Sequence, residues 1–171
     1  MQNYFELFDL ETSFFIDESA LKRSYQSEIS RFHPDNFATK SEPEKLQALQ
    51  NTSLLNSAYS VLKAPLSRAT YLLKLEGMNA FDEKDTAMEE GFLISQIELR
   101  DELEAIEEKK DSLGLDDFIE RVDSFIEEKI ESISEAYNLS SDQLVIKMHV
   151  RELKFFDQLY KEANALMDEW F

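Results

Sequence analysis

Three consecutive residues, His33, Pro34 and Asp35, are of types that could act together on a partner molecule. Pro34 fixes one backbone torsion and so holds its neighbours in a restricted geometry at little entropic cost. Asp35 is a short anion suited to a cationic side chain on another molecule. His33 can donate or accept a hydrogen bond through its ring nitrogens. The other histidine, His149, falls on a predicted helix without a nucleophile pattern, metal-ligand spacing or glycine-rich phosphate loop nearby, and reads as a surface or packing residue. The sequence has no cysteine, which removes disulfides, thiolate metal sites, cluster ligation by the chain's own thiols and cysteine nucleophiles. These residues offer no catalytic pattern, so a non-enzyme without cofactor or metal is expected; taken alone, His33-Pro34-Asp35 reads equally as an ordinary helix-terminating turn.

The elements that position the loop are helical. Only three glycines and three prolines punctuate 171 residues, too few turn formers for a many-stranded sheet, so an all-α protein is expected. A formal net charge of −18 opposes binding to nucleic acid or to an anionic membrane. Met1-Gln2-Asn3-Tyr4-Phe5-Glu6 has the features of neither a signal peptide nor a transit peptide, and no apolar run approaches the roughly 20 residues that span a bilayer. A soluble cytoplasmic protein is the expectation.

A short helix is predicted around Tyr4 to Phe8, then a second helix from an N-cap at Asp17 to about Phe32. On it, Leu21, Tyr25, Ile29 and Phe32 recur at helical spacing and would face a core, leaving Lys22, Arg23, Gln26, Ser30 and Arg31 on the other side. Three basic and two acidic residues make this segment slightly positive inside a negative chain. Pro34 ends it, which places His33-Pro34-Asp35 on a loop. Ser41 and Glu44 form a capping box for a long third helix carrying Leu46, Leu49, Leu54, Leu55, Ala58, Tyr59 and Leu62, able to run antiparallel to the second. Pro65 suits the first turn of a fourth helix that stops at Gly77.

Residues 78–90 lose the apolar rhythm and are expected to link a domain of residues 1–77 to one of residues 91–171. Three amphipathic segments follow, at about 91–111, 115–137 and 141–170, separated at Leu113-Gly114 and at Asn138 to Ser141, with a second capping box expected at Ser140 and Gln143. Three long helices with short turns predict an antiparallel bundle. On the first, Phe92, Leu99, Leu103 and Ile106 form one stripe, while Leu93, Ile94 and Ile97 lie off it beside Asp101 and Glu104. Such residues are either covered by another element or free for a partner.

A helix with a positive outer face, His-Pro-Asp on a loop and a long antiparallel helix resemble a J-domain, and Tyr4-Phe5-Glu6-Leu7-Phe8 is similar to that family's first helix. Over the whole chain the resemblance is to the HscB family of J-domain co-chaperones. It is carried by Pro65-Leu66-Ser67-Arg68-Ala69-Thr70-Tyr71-Leu72-Leu73, by Phe92-Leu93-Ile94-Ser95-Gln96-Ile97-Glu98-Leu99-Arg100-Asp101-Glu102-Leu103, and by Arg151 to Asp157 around Phe155. The resemblance implies that His33, Pro34 and Asp35, with Lys22, Arg23 and Arg31, bind a DnaK-class ATPase chaperone, HscA, and favour its hydrolysis-competent conformation, Asp35 meeting an arginine. It implies further that Leu93, Ile94, Ile97 and Phe155, with Glu98, Arg100 and Asp101, bind the iron–sulfur scaffold IscU. Asn36 stands where most members have Lys or Arg, and Asp9 where many have Gly; Ile94, Ile97 and Asp101 replace Met, Leu and Glu. Eukaryotic members carry paired cysteines, so a bacterial-type protein is implied. The alternative is a J-domain co-chaperone that delivers a different client to DnaK.

Overall fold

Short polar side chains set where most of the helices begin. The computed structural model describes residues 3–82 and 90–171, and all regular structure in them is helical, as the composition predicts. The chain divides into two compact units, Met1–Glu76 and Gly77–Phe171.

In the first unit, α1 (Tyr4–Leu7) starts from a capping box between Asn3 and Glu6. The chain turns at Asp9, whose φ of 55° lies in the left-handed region that glycine adopts more cheaply. Asp17 caps α2 (Glu18–Arg31) by accepting from the Ser19 and Ala20 amides. The expected Ser41 and Glu44 box caps α3 (Glu42–Leu62), and Pro65 opens α4 (Pro65–Leu75), whose end turns through Gly77 at φ 86°. Phe5, Phe8, Phe14, Leu21, Leu55, Ala58, Leu62, Ala69 and Leu73 fill the core. Tyr71 stacks on Tyr4 with centroids 4.6 Å apart, and its hydroxyl accepts from the Tyr4 amide at 3.0 Å. Arg68 is buried: it donates to the Leu62 carbonyl at 2.8 Å and lies 4.9 Å from the Phe14 ring centroid, joining the end of α3 to α4. Burial lowers its pKa, partly offset by Glu18.

The long third helix buries less than its leucines suggest. Leu46, Leu49 and Leu54 are exposed, while Ala48, Leu55, Ala58 and Leu62 are buried. One helix face can meet α2 at a time, and a leucine off that face stays wet whatever its hydrophobicity. Tyr25, Ile29 and Phe32 are only half-buried, so the α2–α3 hairpin is least filled towards its loop end.

In the second unit, α5 (Glu90–Lys109), α6 (Ser112–Asn138) and α7 (Gln143–Trp170) form the expected three helices. Leu103, Ile106, Leu115, Phe118, Val122, Phe156, Leu159 and Ala163 make one core cluster, with Phe92, Leu99, Phe125 and Phe155 against it. The helix breaks differ from the sequence expectation. Leu113 and Gly114 lie inside the first turn of α6, because Asp111 is the cap and its carboxylate accepts from the Gly114 amide at 2.9 Å. A Cβ at Gly114 would meet the Asp111 carboxyl carbon at 2.8 Å, so a side chain there would oblige that carboxylate to shift. Ser140 is not the cap of α7: at φ 50° it belongs to the turn that closes α6, and Asp142 accepts from the Leu144 amide instead. Of the expected linker 78–90, residues 83–89 lie outside the described residues. Its first part lies on α7, where Ala80 is buried, its carbonyl accepts from Arg151 at 3.1 Å, and Lys154 sits 4.0 Å above the Phe81 ring.

Between α6 and α7, buried Glu152 pairs with Lys129, and the Nδ1 atom of half-buried His149 is enclosed without a hydrogen-bond partner. Burial lowers the His149 pKa below its ordinary 6.5; Lys129 adds to this and Glu152 opposes it. The unfolded chain therefore binds a proton that the folded chain refuses, and stability falls as pH drops from about 6.5 towards the folded value. Urea unfolding at neutral pH and at about pH 5 should show that fall, and His149→Gln should make it shallower. A second expectation concerns Lys110, which closes α5 at φ 49°, with the Asp111 amide bonded back to the Ile106 carbonyl at 3.1 Å. Lys110→Gly should raise the unfolding free energy by about 1 kcal/mol, since the left-handed conformation costs a side chain what glycine avoids.

Candidate functional site

Two regions carry the residues singled out in the sequence, one in each unit. In the first, α2 ends at Arg31 with Phe32 as its C-cap, and His33 follows in extended backbone (φ −58°, ψ 138°) before a 3-10 turn, Pro34–Phe37. His33 is the cap of that turn: its Nδ1 accepts from the Asp35 amide at 3.2 Å. An accepting Nδ1 places the proton of the neutral ring on Nε2. Asp35 Oδ2 lies 3.6 Å from Nδ1, too far for a hydrogen bond, and the side chains of His33 and Asp35 are 59% and 92% exposed. The carboxylate thus stays available to a cation from elsewhere.

The turn is tied back to α2. Asn36 donates through its backbone amide to the His33 carbonyl at 2.9 Å and through Nδ2 to the Ser30 carbonyl at 2.9 Å, and the Phe32 and Phe37 rings stack with centroids 6.4 Å apart. Nothing in the sequence pattern signals the Asn36 clamp, because a side-chain bond to a carbonyl six residues back has no periodic signature. Under the loop, Phe32, Pro34, Phe37, Ala38, Ala48 and Leu49 line most of an apolar cleft of about 430 Å³.

Lys22, Arg23 and Arg31 are all exposed. They do not form one cluster: Arg31 follows Lys22 by nine positions, which puts the two on roughly opposite flanks of α2. Arg31 is also held by Glu28 at 3.1 Å and lies over the Phe32 ring at 5.7 Å. Arg23 lies between the two flanks, so the positive residues spread around the outer half of α2 instead of forming one point of charge.

In the second unit, Leu93, Ile94 and Ile97 are 41%, 51% and 62% exposed, on the face of α5 opposite Leu103 and Ile106. Asp101 is exposed on the same side. Phe155 is half-buried and edge-on to Phe92 at 5.8 Å, and the Arg100 guanidinium lies 5.5 Å above it while pairing with Glu162. Arg100 thus fastens the patch to α7. Glu98 lies on the other flank, lining a cleft of about 320 Å³ with Ser95, Glu102, Arg121 and Phe125. There Arg121 pairs with Glu102 and Asp117, and the hydrogen bond to Glu102 is the main cause of its raised pKa. The structure brings Leu93, Ile97, Arg100 and Asp101 together, attaches Phe155 at one edge and puts Glu98 at the other. Leu139, Leu144, Val145 and Met148 are further exposed apolar residues near the α6–α7 turn.

Among the described residues no group of His, Asp and Glu is placed to hold a metal ion, and no helix is long and apolar enough to cross a membrane.

Residues 88–164 match the family described as HSCB C-terminal oligomerisation domain. The chain is 39% identical over 170 residues to a co-chaperone protein HscB homolog of Vibrio parahaemolyticus, covering 98% of each. Among solved structures it is similar to chaperone HscB from Vibrio cholerae, with 36% identity and a TM-score of 0.84 over 99% of this chain and 100% of the other. It is also similar to human co-chaperone protein HscB, with 29% identity and a TM-score of 0.87 over 96% of this chain and 81% of the human one.

The burial pattern sets an expectation for the patch. Leu93→Ala and Ile97→Ala should each change stability by less than about 0.5 kcal/mol, whereas Phe155→Ala should cost about 1–2 kcal/mol, less than a fully buried phenylalanine. Chemical denaturation of the three variants measures this directly.

Proposed function

The chain belongs to the HscB family of J-domain co-chaperones, and from that membership we propose that it stimulates ATP hydrolysis by a DnaK-class chaperone, HscA, and delivers the iron–sulfur scaffold IscU to it. The carrying observation for the first half is the presentation of His33, Pro34 and Asp35 on a capped turn beyond the last residue of α2, with the Asp35 carboxylate uncommitted. Asp35 meets an arginine of the ATPase. The His33 ring, with Nδ1 spent on the Asp35 amide, offers Nε2–H as a donor. The exposed Lys22 and Arg23 guide the approach to an acidic surface. None of these groups touches ATP. The loop shifts the partner by binding its hydrolysis-competent conformation better than the other, which is what a conformational trigger must do.

For the second half, the support is the exposure of Leu93, Ile94 and Ile97 on a face of α5 that their own bundle leaves unused. Three apolar side chains flanked by Arg100 and Asp101 suit a partner patch with an apolar centre and polar rim. Glu98 serves at the margin and Phe155 as a floor more than as a protruding contact. The chain works in the cytoplasm, on a protein client, with no cofactor of its own.

The description of the matched family as an oligomerisation domain favours a second use of this face, the pairing of two copies of the chain. Single-turnover ATP hydrolysis by the chaperone, with this chain and the scaffold added separately and together, tests the first reading. His33→Gln should abolish stimulation without altering helicity, and full stimulation by that variant rules out the trigger. Leu93→Ala with Ile97→Ala should weaken scaffold capture by more than ten-fold, on the order of 1.4 kcal/mol or more, while stimulation by the chain alone survives. If the double variant instead splits a dimer seen by sedimentation and still captures the scaffold, self-association is the use of the patch.

A further inference from the structure

At the end of the helix that precedes the His-Pro-Asp turn the last carbonyls must find partners beyond the helical ladder, and those of Ile29 and Ser30 accept from the capping backbone amides. The His33 amide reaches the Ser30 carbonyl only at 3.4 Å. Asn36 Nδ2 reaches it at 2.9 Å, from the far side of the tripeptide. The same residue donates its backbone amide to the His33 carbonyl at 2.9 Å. Asn36 is therefore fixed at two points, one on the helix and one on the residue that starts the turn, and the segment Arg31 to Asp35 is closed into a small ring. Asp35 lies between this clamp and the Nδ1 cap of His33.

We infer that Asn36 is a positioning residue for the ATPase-binding loop: its amide clamp on Ser30 fixes the direction in which His33 and Asp35 leave the axis of α2. This rests on the trigger reading of the loop and deepens it. The consequence is preorganisation. The outer face of α2 and the two side chains of the turn reach the partner as one rigid unit, so the loop is not ordered at the expense of binding. Without the clamp the turn still holds His33, Pro34 and Asp35, and a partner can draw them into place once bound. The loss then falls on the concentration needed for stimulation and not on the maximal rate.

The test is a titration of the chaperone's single-turnover ATPase with the full chain and with Asn36→Leu, a variant of similar shape and unchanged charge that cannot donate, and with Asn36→Ser, which falls short of Ser30. Both should raise the half-saturating concentration about three- to ten-fold, as the loss of one hydrogen bond predicts, with an unchanged plateau and an unchanged melting temperature, since Asn36 is exposed. Half-saturation equal to that of the unaltered chain, or a fall in the plateau alone, overturns the positioning role. No stimulation by the unaltered chain overturns the trigger reading and this inference with it; stimulation that His33→Gln abolishes but Asn36→Leu leaves untouched overturns this inference alone.

Discussion

Burial of a single apolar stripe on each helix is the constraint from which both candidate regions follow. A helix meets its neighbours along a limited arc, and apolar residues outside that arc remain in water. On α5 the arc holds Phe92, Leu99, Leu103 and Ile106, and what is left over is Leu93, Ile94 and Ile97. On α3 the arc holds Ala48, Leu55, Ala58 and Leu62, and what is left over includes Leu49, at the edge of the cleft beneath the turn. Scattered exposed leucines need no explanation, whereas three on one face of one helix do. The patch is therefore the more informative of the two remainders.

The turn solves a different problem. A loop that acts by contact must be exposed and still keep one shape, and exposure removes the packing that usually fixes shape. Here the shape comes from hydrogen bonds that close on themselves: His33 Nδ1 on the Asp35 amide, the Asn36 amide on the His33 carbonyl, and the Asn36 side chain on Ser30. Pro34 removes one torsion and one donor that would otherwise need a partner. Each tie is modest in water, but they act on a segment of seven residues, so few free torsions remain to be ordered on binding.

The helical class, the caps at Asp17 and Ser41 and the loop position of His33-Pro34-Asp35 were legible because they depend on local chemistry: a short polar residue before an apolar period, a proline after it. The misplacements have the same character. Ser140 and Gln143 satisfy the spacing of a capping box, but the turn after α6 needs residue 140 in left-handed backbone, and Asp142 is then the residue with cap geometry. Gly114 looks like a breaker, yet it lies in the first turn of α6 and donates its amide to the Asp111 cap. The off-stripe placement of Leu93, Ile94 and Ile97 could be read from the helical period, whereas the tethering of Arg100 to Glu162 and the migration of Glu98 to the α6 flank could not. Those depend on which neighbouring helix lies on each side of α5, and pattern alone does not encode it.

Charge enters last and decides less than the resemblance implies. The chain carries −18 overall, and within α2 the Arg31 guanidinium is already engaged by Glu28. Lys22 and Arg23 remain, two solvated cations whose pull falls off over roughly 8 Å at physiological salt. Such a field helps orient an approaching acidic surface but cannot hold it, since exposed pairs contribute at most about 1 kcal/mol each. On the proposed reading, affinity for an ATPase partner would then draw on the fixed shape of the turn and on the exposed carboxylate of Asp35. On the proposed reading, a protein this acidic must set Asp35 apart from the many carboxylates that only face water, and the hydrogen-bonded turn around it gives it a fixed position that they lack.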